Sequence, residues 1–357
     1  MKIALIPWSN EIKNNNIFIP KEEGYTDSHI LLKQAFQQKG IELNTVDVYK
    51  DLKEVDAFLF WGIEYKWLNK LIRLGLQNRT IYCNGEPAVV KPENSKEGFQ
   101  KLLKIFAYIL TWDDDLVDNT RIFKRNIPYY FEKEFGNIAF DERKLLTNIS
   151  GNKVSTHPLE LYSEREKVIT YFEQKHPEQF DLYGTGWDKS IHSSYQGTVL
   201  SKRETYHKYK FALSLENTYD VRGYITEKIF DCFTSGIVPI YKGAKDVNVY
   251  IPKDCYIDYD EFNSMEDMYQ YLNNMSENEY SKYIEEIEKL LDSNIQDVFS
   301  SEKFCEYICV VLEQLGKVKL TIPYTYKKIL YKKEWGNLKS ELILKCKIKI
   351  KKIIFKK

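Results

Sequence analysis

The sequence predicts an α/β protein built from two Rossmann-like units facing across a cleft, with a basic segment at the C-terminal end. Two observations point to the α/β class. Short apolar runs of four to six residues alternate with amphipathic stretches of helical period along most of the chain. That alternation also breaks near residues 135–145 and then restarts, so the 357 residues divide into two cores. The predicted organisation is an N-terminal unit over 1–140, a second unit over 141–316 and a tail over 317–357.

Lys2 to Pro7 (KIALIP) reads as the first strand. A helix follows over Ser28 to Lys39, with Ile30, Leu31, Ala35 and Phe36 as its apolar stripe, and Gly40 closes it. Glu42 to Asp47, Ala57 to Trp61 and Thr80 to Asn84 are the next strands, with a helix from about Tyr65 to Leu76. Lys96 to Tyr108 is read as helical, and residues 121–131 (RIFKRNIPYYF) as an extended, aromatic and basic stretch suited to lining a groove. In the second unit Lys144 to Ser150 and Phe180 to Gly184 are strands around a helix over Ser163 to His176. Ser264 to Asn274, Glu277 to Leu291 and Glu302 to Leu315 are helical.

The second unit centres on Tyr209 to Tyr241, YKFALSLENTYDVRGYITEKIFDCFTSGIVPIY. Phe211 to Leu215 is a buried strand ending at Glu216-Asn217-Thr218. Thr226 caps a helix that Gly236 stops, and Ile237 to Tyr241 is a further strand. Ligands of parallel sheets bind where strand ends meet helix starts, because helix N-termini favour anions. The connection between strand and helix carries Asn217, Asp220, Arg222, Tyr224, Glu227 and Lys228, a dense polar group on a short loop. In the first unit Glu86 sits just past a strand end, in a loop held by Gly85 and Pro87, where catalytic groups tend to lie.

Composition narrows the field. The formal net charge is zero, yet residues 317–357 hold fourteen Lys against only Glu334 and Glu341, so the body of the chain is mildly acidic. That balance points away from a nucleic-acid-binding core. The six cysteines include no C-x-x-C pair, which implies neither a metal nor a disulfide framework, and a reducing compartment is expected. Pro7, Trp8 and Asn10 interrupt any signal-like apolar start, and no stretch approaches the ~20 apolar residues of a membrane span. The expected location is cytoplasmic, peripheral on the inner face of the membrane. The tail mixes Ile, Leu and Phe with Lys, and is expected to touch an anionic membrane surface.

The ordered run YKFALSLENT, YITEK, GIVPIYKG and IPKDCYID resembles the signature of the family 10 glycosyltransferases, the α-1,3/4-fucosyltransferases, over about residues 180–275. The resemblance implies the GT-B type of architecture, GDP-fucose as donor and an inverting transfer to a glycan hydroxyl. The implied acceptor contains N-acetylglucosamine, is joined in α-1,3 linkage, and belongs to a cell-surface glycan or lipopolysaccharide. It implies that Lys228 meets the phosphates, Tyr224 hydrogen-bonds them, Glu227 accepts ribose hydroxyls, and Glu216 and Asn217 shape the same pocket. Lys202, Arg203 and Arg222 are the further cations suited to the diphosphate, and Glu86 is the implied general base. Relatives carry similar basic C-termini. No cofactor beyond the donor substrate and no metal is expected, and Asp113-Asp114-Asp115 is read as an acidic turn. Two rival readings stand beside this one: a transferase of the same fold using another sugar nucleotide, and a non-catalytic protein that binds a nucleotide sugar or a membrane.

Overall fold

A computed structural model describes residues 1–20, 27–337 and 339. The first unit is built from β1 (Lys2–Ile6), α1 (Ser28–Gln38), β2 (Glu42–Thr45), β3 (Ala57–Phe60), α2 (Tyr65–Arg73), β4 (Thr80–Cys83), α3 (Lys96–Leu102), β5 (Tyr108–Thr111) and β6 (Ile122–Lys124). Its six strands are all parallel, in the order β2-β1-β3-β4-β5-β6. The period of two along each strand sends alternate residues to opposite faces. Ile3, Leu5, Ala57 and Leu59 therefore enter one core with α1, while Ala4, Ile6, Phe58 and Phe60 enter the other with α2 and α3.

The helix expected over Lys96 to Tyr108 stops at Leu102. Leu103 to Phe106 closes it as a turn, and Tyr108 opens β5 instead. The apolar run Ile105 to Leu110 is buried throughout, and such a run carries no period that separates strand from helix.

The second unit comprises β7 (Lys144–Ile149), α4 (Tyr162–Lys175), β8 (Phe180–Tyr183), α5 (Lys202–Tyr206), β9 (Tyr209–Leu215), α6 (Glu227–Thr234), β10 (Val238–Lys242), β11 (Ile257–Asp258), α7 (Met265–Asn274), α8 (Glu277–Leu291) and α9 (Ile295–Val298). Its sheet is also parallel, in the order β11-β10-β9-β7-β8.

The chain then returns to the first unit. In α10 (Ser301–Leu312), Phe304, Cys305, Ile308 and Val311 join the core that holds Phe36 and Leu43. Leu320, Ile322 and Leu330 join the opposite face beside Val55 and Leu71, and residues 324–337 are helical. The segment 301–316, expected in the second unit, thus packs on the first, as does the beginning of the expected tail. Residues 340–357, the most basic part of that tail, lie outside the described residues. Among the described residues no helix is long and apolar enough to cross a membrane.

Candidate functional site

Each sheet reverses its strand order once, between β1 and β3 in the first and between β7 and β9 in the second. Crevices open at the carboxyl ends of strands at such points. In the second unit the crevice is a cavity of about 370 Å³, lined by Ser150 beyond β7 and by Asn217 beyond β9. Glu227 and Lys228 enter it from the start of α6, Lys202 from the start of α5, and Glu86 from the first unit. Five of the expected site residues thus meet at one place.

Local chemistry fixes the start of α6. Thr226 is its N-cap, and its hydroxyl accepts from the Lys228 N–H at 3.4 Å. Beneath lies Glu216, fully buried, which accepts from the Thr226 N–H at 2.9 Å, from the Thr226 hydroxyl at 2.8 Å and from Lys228 Nζ at 2.9 Å. Burial alone would lower the Lys228 ammonium, but Glu216 and then Glu227 outweigh it and hold it above the ordinary lysine value. Burial likewise opposes ionisation of Glu227, yet Lys228 and Lys202 keep it below the ordinary carboxylate range. Lys202 in turn pairs with Asp231 at 2.7 Å. The cavity therefore presents held cations and an ionised carboxylate side by side.

Four expected residues stand elsewhere. Glu216 does not line the cavity, because its carboxylate is spent on Thr226 and Lys228. Tyr224 is buried, takes a 3.4 Å bond from Asn217 Nδ2 and packs its ring 4.6 Å from that of Trp112 in the first unit. Arg203 turns away from the cavity to Glu134 at 2.6 Å and Glu132 at 3.2 Å. Arg222 lies between Asp115 at 3.4 Å and Asp246 at 3.7 Å, on the seam between the units. The three consecutive acids are separately employed. Asp113 caps a short turn, Asp114 pairs with Lys124 at 2.6 Å, and Asp115 faces Arg222. Among the described residues no group of three or more His, Cys, Asp or Glu is placed to hold a metal ion.

Two cations that line the cavity, Lys153 and Arg165, went unread in the sequence. Arg165 lines the cavity floor and is 4% exposed. Its Nη2 donates to the Leu215 and Glu216 carbonyls at 2.8 and 3.1 Å, which fixes the guanidinium under the end of β9. The signal was its place on the stripe Arg165, Val168, Ile169 and Phe172 of α4, all buried. Gly184 supplies the close approach that forms the rim. Its φ is +128°, and a Cβ there would stand 1.9 Å from the Ser150 carbonyl oxygen.

Comparison with known proteins follows the same lines. The family model for the C-terminal part of glycosyltransferase family 10 (fucosyltransferase) matches residues 147–329, just over half of the chain. An α-(1,4)-fucosyltransferase of Arabidopsis thaliana is 42% identical over 77 residues, which are 21% of this chain and 19% of that protein. The 4-galactosyl-N-acetylglucosaminide 3-α-L-fucosyltransferase 9 of Mus musculus is 39% identical over 71 residues, 19% of this chain and 20% of that one. The matched stretch thus spans about a fifth of these relatives. The crystal structure of an α1,3-fucosyltransferase superposes with a TM-score of 0.56 and 17% identity, covering 88% of this chain and 90% of that one. The same comparison with an α1,3-fucosyltransferase holding GDP-fucose gives 0.55 and 17%, over 90% and 92%. A DNA-modifying β-glucosyltransferase shares the fold at 0.54 and 12% identity, over 88% and 100%. With the architecture and the family match in agreement, the chain belongs to glycosyltransferase family 10, the fucosyltransferase family.

Proposed function

We propose that this protein transfers fucose from GDP-fucose to a hydroxyl of a glycan acceptor, with inversion at the anomeric carbon. The observation that carries the reading is a single cavity in which Glu86 of the first unit stands opposite Lys228, Lys202 and Arg165 of the second. In the transfer the acceptor oxygen bonds to the anomeric carbon as the bond from that carbon to the GDP oxygen breaks. Glu86 takes the acceptor proton, and the departing diphosphate carries away the electron pair. Lys228, Lys202, Arg165 and the N–H groups at the start of α6 answer the charge that grows on the diphosphate. This arrangement supports transfer without an essential divalent ion. Glu227 accepts the ribose hydroxyls. The names of the plant and mammalian relatives support an acceptor containing N-acetylglucosamine and a 3- or 4-linked fucose; we favour α-1,3, in a cell-surface glycan or lipopolysaccharide. The helix over 324–337 supports peripheral contact with the inner face of a membrane. It exposes Tyr324, Tyr331 and Trp335 among four lysines while Leu330 is buried.

Calorimetric titration with GDP-fucose, GDP-mannose and UDP-sugars, with and without EDTA, tests the donor. Preference for GDP-fucose unaffected by EDTA is expected, and preference for another nucleotide sugar would discard the fucose reading. Glu86→Gln is expected to lower kcat by about 10²–10⁴-fold while the affinity for GDP-fucose stays within about twofold. Loss of donor binding in that variant would remove Glu86 from the role of base.

A further inference from the structure

The first unit has its own cavity, of about 560 Å³, at the carboxyl ends of its strands. Trp8 follows β1, Trp61 follows β3 and Glu86 follows β4, and all three line it. Glu86 lines the donor cavity as well, so the two spaces share this residue. The Trp8 and Trp61 ring centroids are 6.3 Å apart, and Phe304 of α10 packs edge-on against Trp61 at 5.8 Å. Trp8 is 42% exposed, which leaves aromatic surface uncovered beside polar groups. Such a surface suits the C–H face of a pyranose.

Arg125, just past β6, also lines this cavity, and it is 2% exposed. By contrast, Arg121 and Arg165 each place a terminal guanidinium nitrogen on two backbone carbonyls. Arg121 donates to the carbonyls of Leu103, Phe106 and Ala107, and Arg165 to those of Leu215 and Glu216. Arg125 makes one side-chain hydrogen bond among the described residues, from Nε to the Asn126 carbonyl at 3.2 Å. Its Nη1 is buried without an acceptor, and no described carboxylate forms an ion pair with it. The guanidinium carbon lies 4.5 Å from the centroid of the Phe304 ring. A cation–π contact offsets only part of the cost of burying an unpaired charge. Burial accordingly pushes the guanidinium down to about 10 from its ordinary value. Glu64 and Glu93 also line the space, and Lys91 adds a second cation.

We propose that Arg125 determines acceptor specificity, by binding the carboxylate of an acidic sugar that stacks on Trp8 and Trp61 while the adjoining sugar presents its hydroxyl to Glu86. The inference rests on the transferase reading above, and deepens it by naming the acceptor class as uronate-type glycans. An anion in the fork pairs the buried charge that the free protein leaves unpaired, so recognition comes from a group built ahead of the ligand.

The test measures binding of methyl β-D-glucuronide and methyl β-D-glucoside by saturation-transfer NMR titration, with GDP-fucose calorimetry in parallel. Wild type is expected to prefer the uronide by about tenfold or more, the worth of one charge-assisted contact. Arg125→Met is expected to abolish that preference, to leave the glucoside and GDP-fucose affinities within about twofold, and to raise Tm because an unpaired buried charge is gone. Trp8→Ala, at the rim, is expected to weaken both sugars alike. Equal affinity of wild type for the two sugars, including undetectable binding of both, overturns the proposal. So does a preference that survives Arg125→Met, or a fall in Tm with the preference intact. Failure of wild type to bind GDP-fucose would instead sink the transferase reading, independently of the sugar preference.

Discussion

Lys228 Nζ stands 2.9 Å from Glu216 Oε2 and 2.9 Å from Thr226 Oγ1, on a carboxylate that has no exposed surface. Removing one partner of such a pair strands the other. Lys228→Met is therefore expected to cost about 3–5 kcal/mol in urea unfolding, and Glu216→Gln/Lys228→Met to recover much of it. Donor affinity, read by calorimetry, is expected to fall in both, which separates the stability role of the pair from the phosphate-binding role proposed for the ammonium. Asp113 sets a pH dependence. Burial pushes its carboxyl up to about 6, above the value it takes in the unfolded chain. The folded state then holds the proton more tightly, so Asp113 destabilises above pH 6 and the effect vanishes as pH falls below about 4. Asp113→Asn, which keeps the capping oxygen, is expected to gain up to about 2 kcal/mol at pH 8 and nothing at pH 4, measured by denaturant unfolding at both. At this scale the sequence was legible where local pattern carries the role. Thr226, Glu227 and Lys228 announce a capped helix start beside a strand end, and they line or frame the cavity. Arg165 was hidden because SEREK reads as a solvated helix face, and its burial depends on a sheet contributed by distant segments. Arg203 and Arg222 were ambiguous for the converse reason. A cation near a phosphate site and a cation in a surface ion pair look alike until the acids opposite, Glu132, Glu134, Asp115 and Asp246, are placed.

The connection between β9 and α6 does two things at once. It carries residues proposed to hold the donor, and it seats the second unit against the first. Gly223 makes the seat possible, with φ +79° and a Cβ position 2.2 Å from the Trp112 carbonyl oxygen and 2.9 Å from Lys124 Nζ. Tyr224 then packs on Trp112, and Arg222 reaches Asp115 across the same seam. Gly223→Ala combines a left-handed conformation with a backbone clash, so the loop must lift off Trp112. Lower kcat by about tenfold or more is expected, since small misplacements of facing groups are costly, along with faster hydrogen exchange in β5. Unchanged exchange at β5 would mean that the loop does not seat the units. Most elements were legible because each is short and bounded by its own caps and turns, as Asp27, Ser95, Ser264 and Ser276 cap their helices. The end of α3 was not, because Ile105 to Leu110 is continuously apolar.

At the scale of the whole molecule the chain crosses twice between units, and the second crossing was invisible to a reading that divides the sequence into consecutive blocks. Helical period places Phe304, Cys305 and Ile308 on one face, but it does not say which sheet that face meets. The consequence bears on the proposed membrane role. Removing everything after Gly316 would also remove Leu320, Ile322 and Leu330 from the first core, at about 2–5 kcal/mol for each large buried side chain. Lost binding in that truncation would then report unfolding. A cut after Lys339 spares these residues and removes seven lysines together with Ile343, Leu344, Ile353 and Phe355. Each lysine near an anionic surface contributes about 1 kcal/mol. Sedimentation with vesicles of about 30% phosphatidylserine is thus expected to show affinity reduced by a hundredfold or more, with Tm and GDP-fucose affinity unchanged. Neutral vesicles are expected to bind the full chain weakly, and raised salt to weaken binding to the anionic ones, because the attraction is screened within a Debye length. Equal binding of the full and shortened chains would transfer the role to the described helix over 324–337. Its Trp335 and Tyr331 rings are 6.3 Å apart and both exposed, and Trp335→Ala would then be the variant that releases the protein.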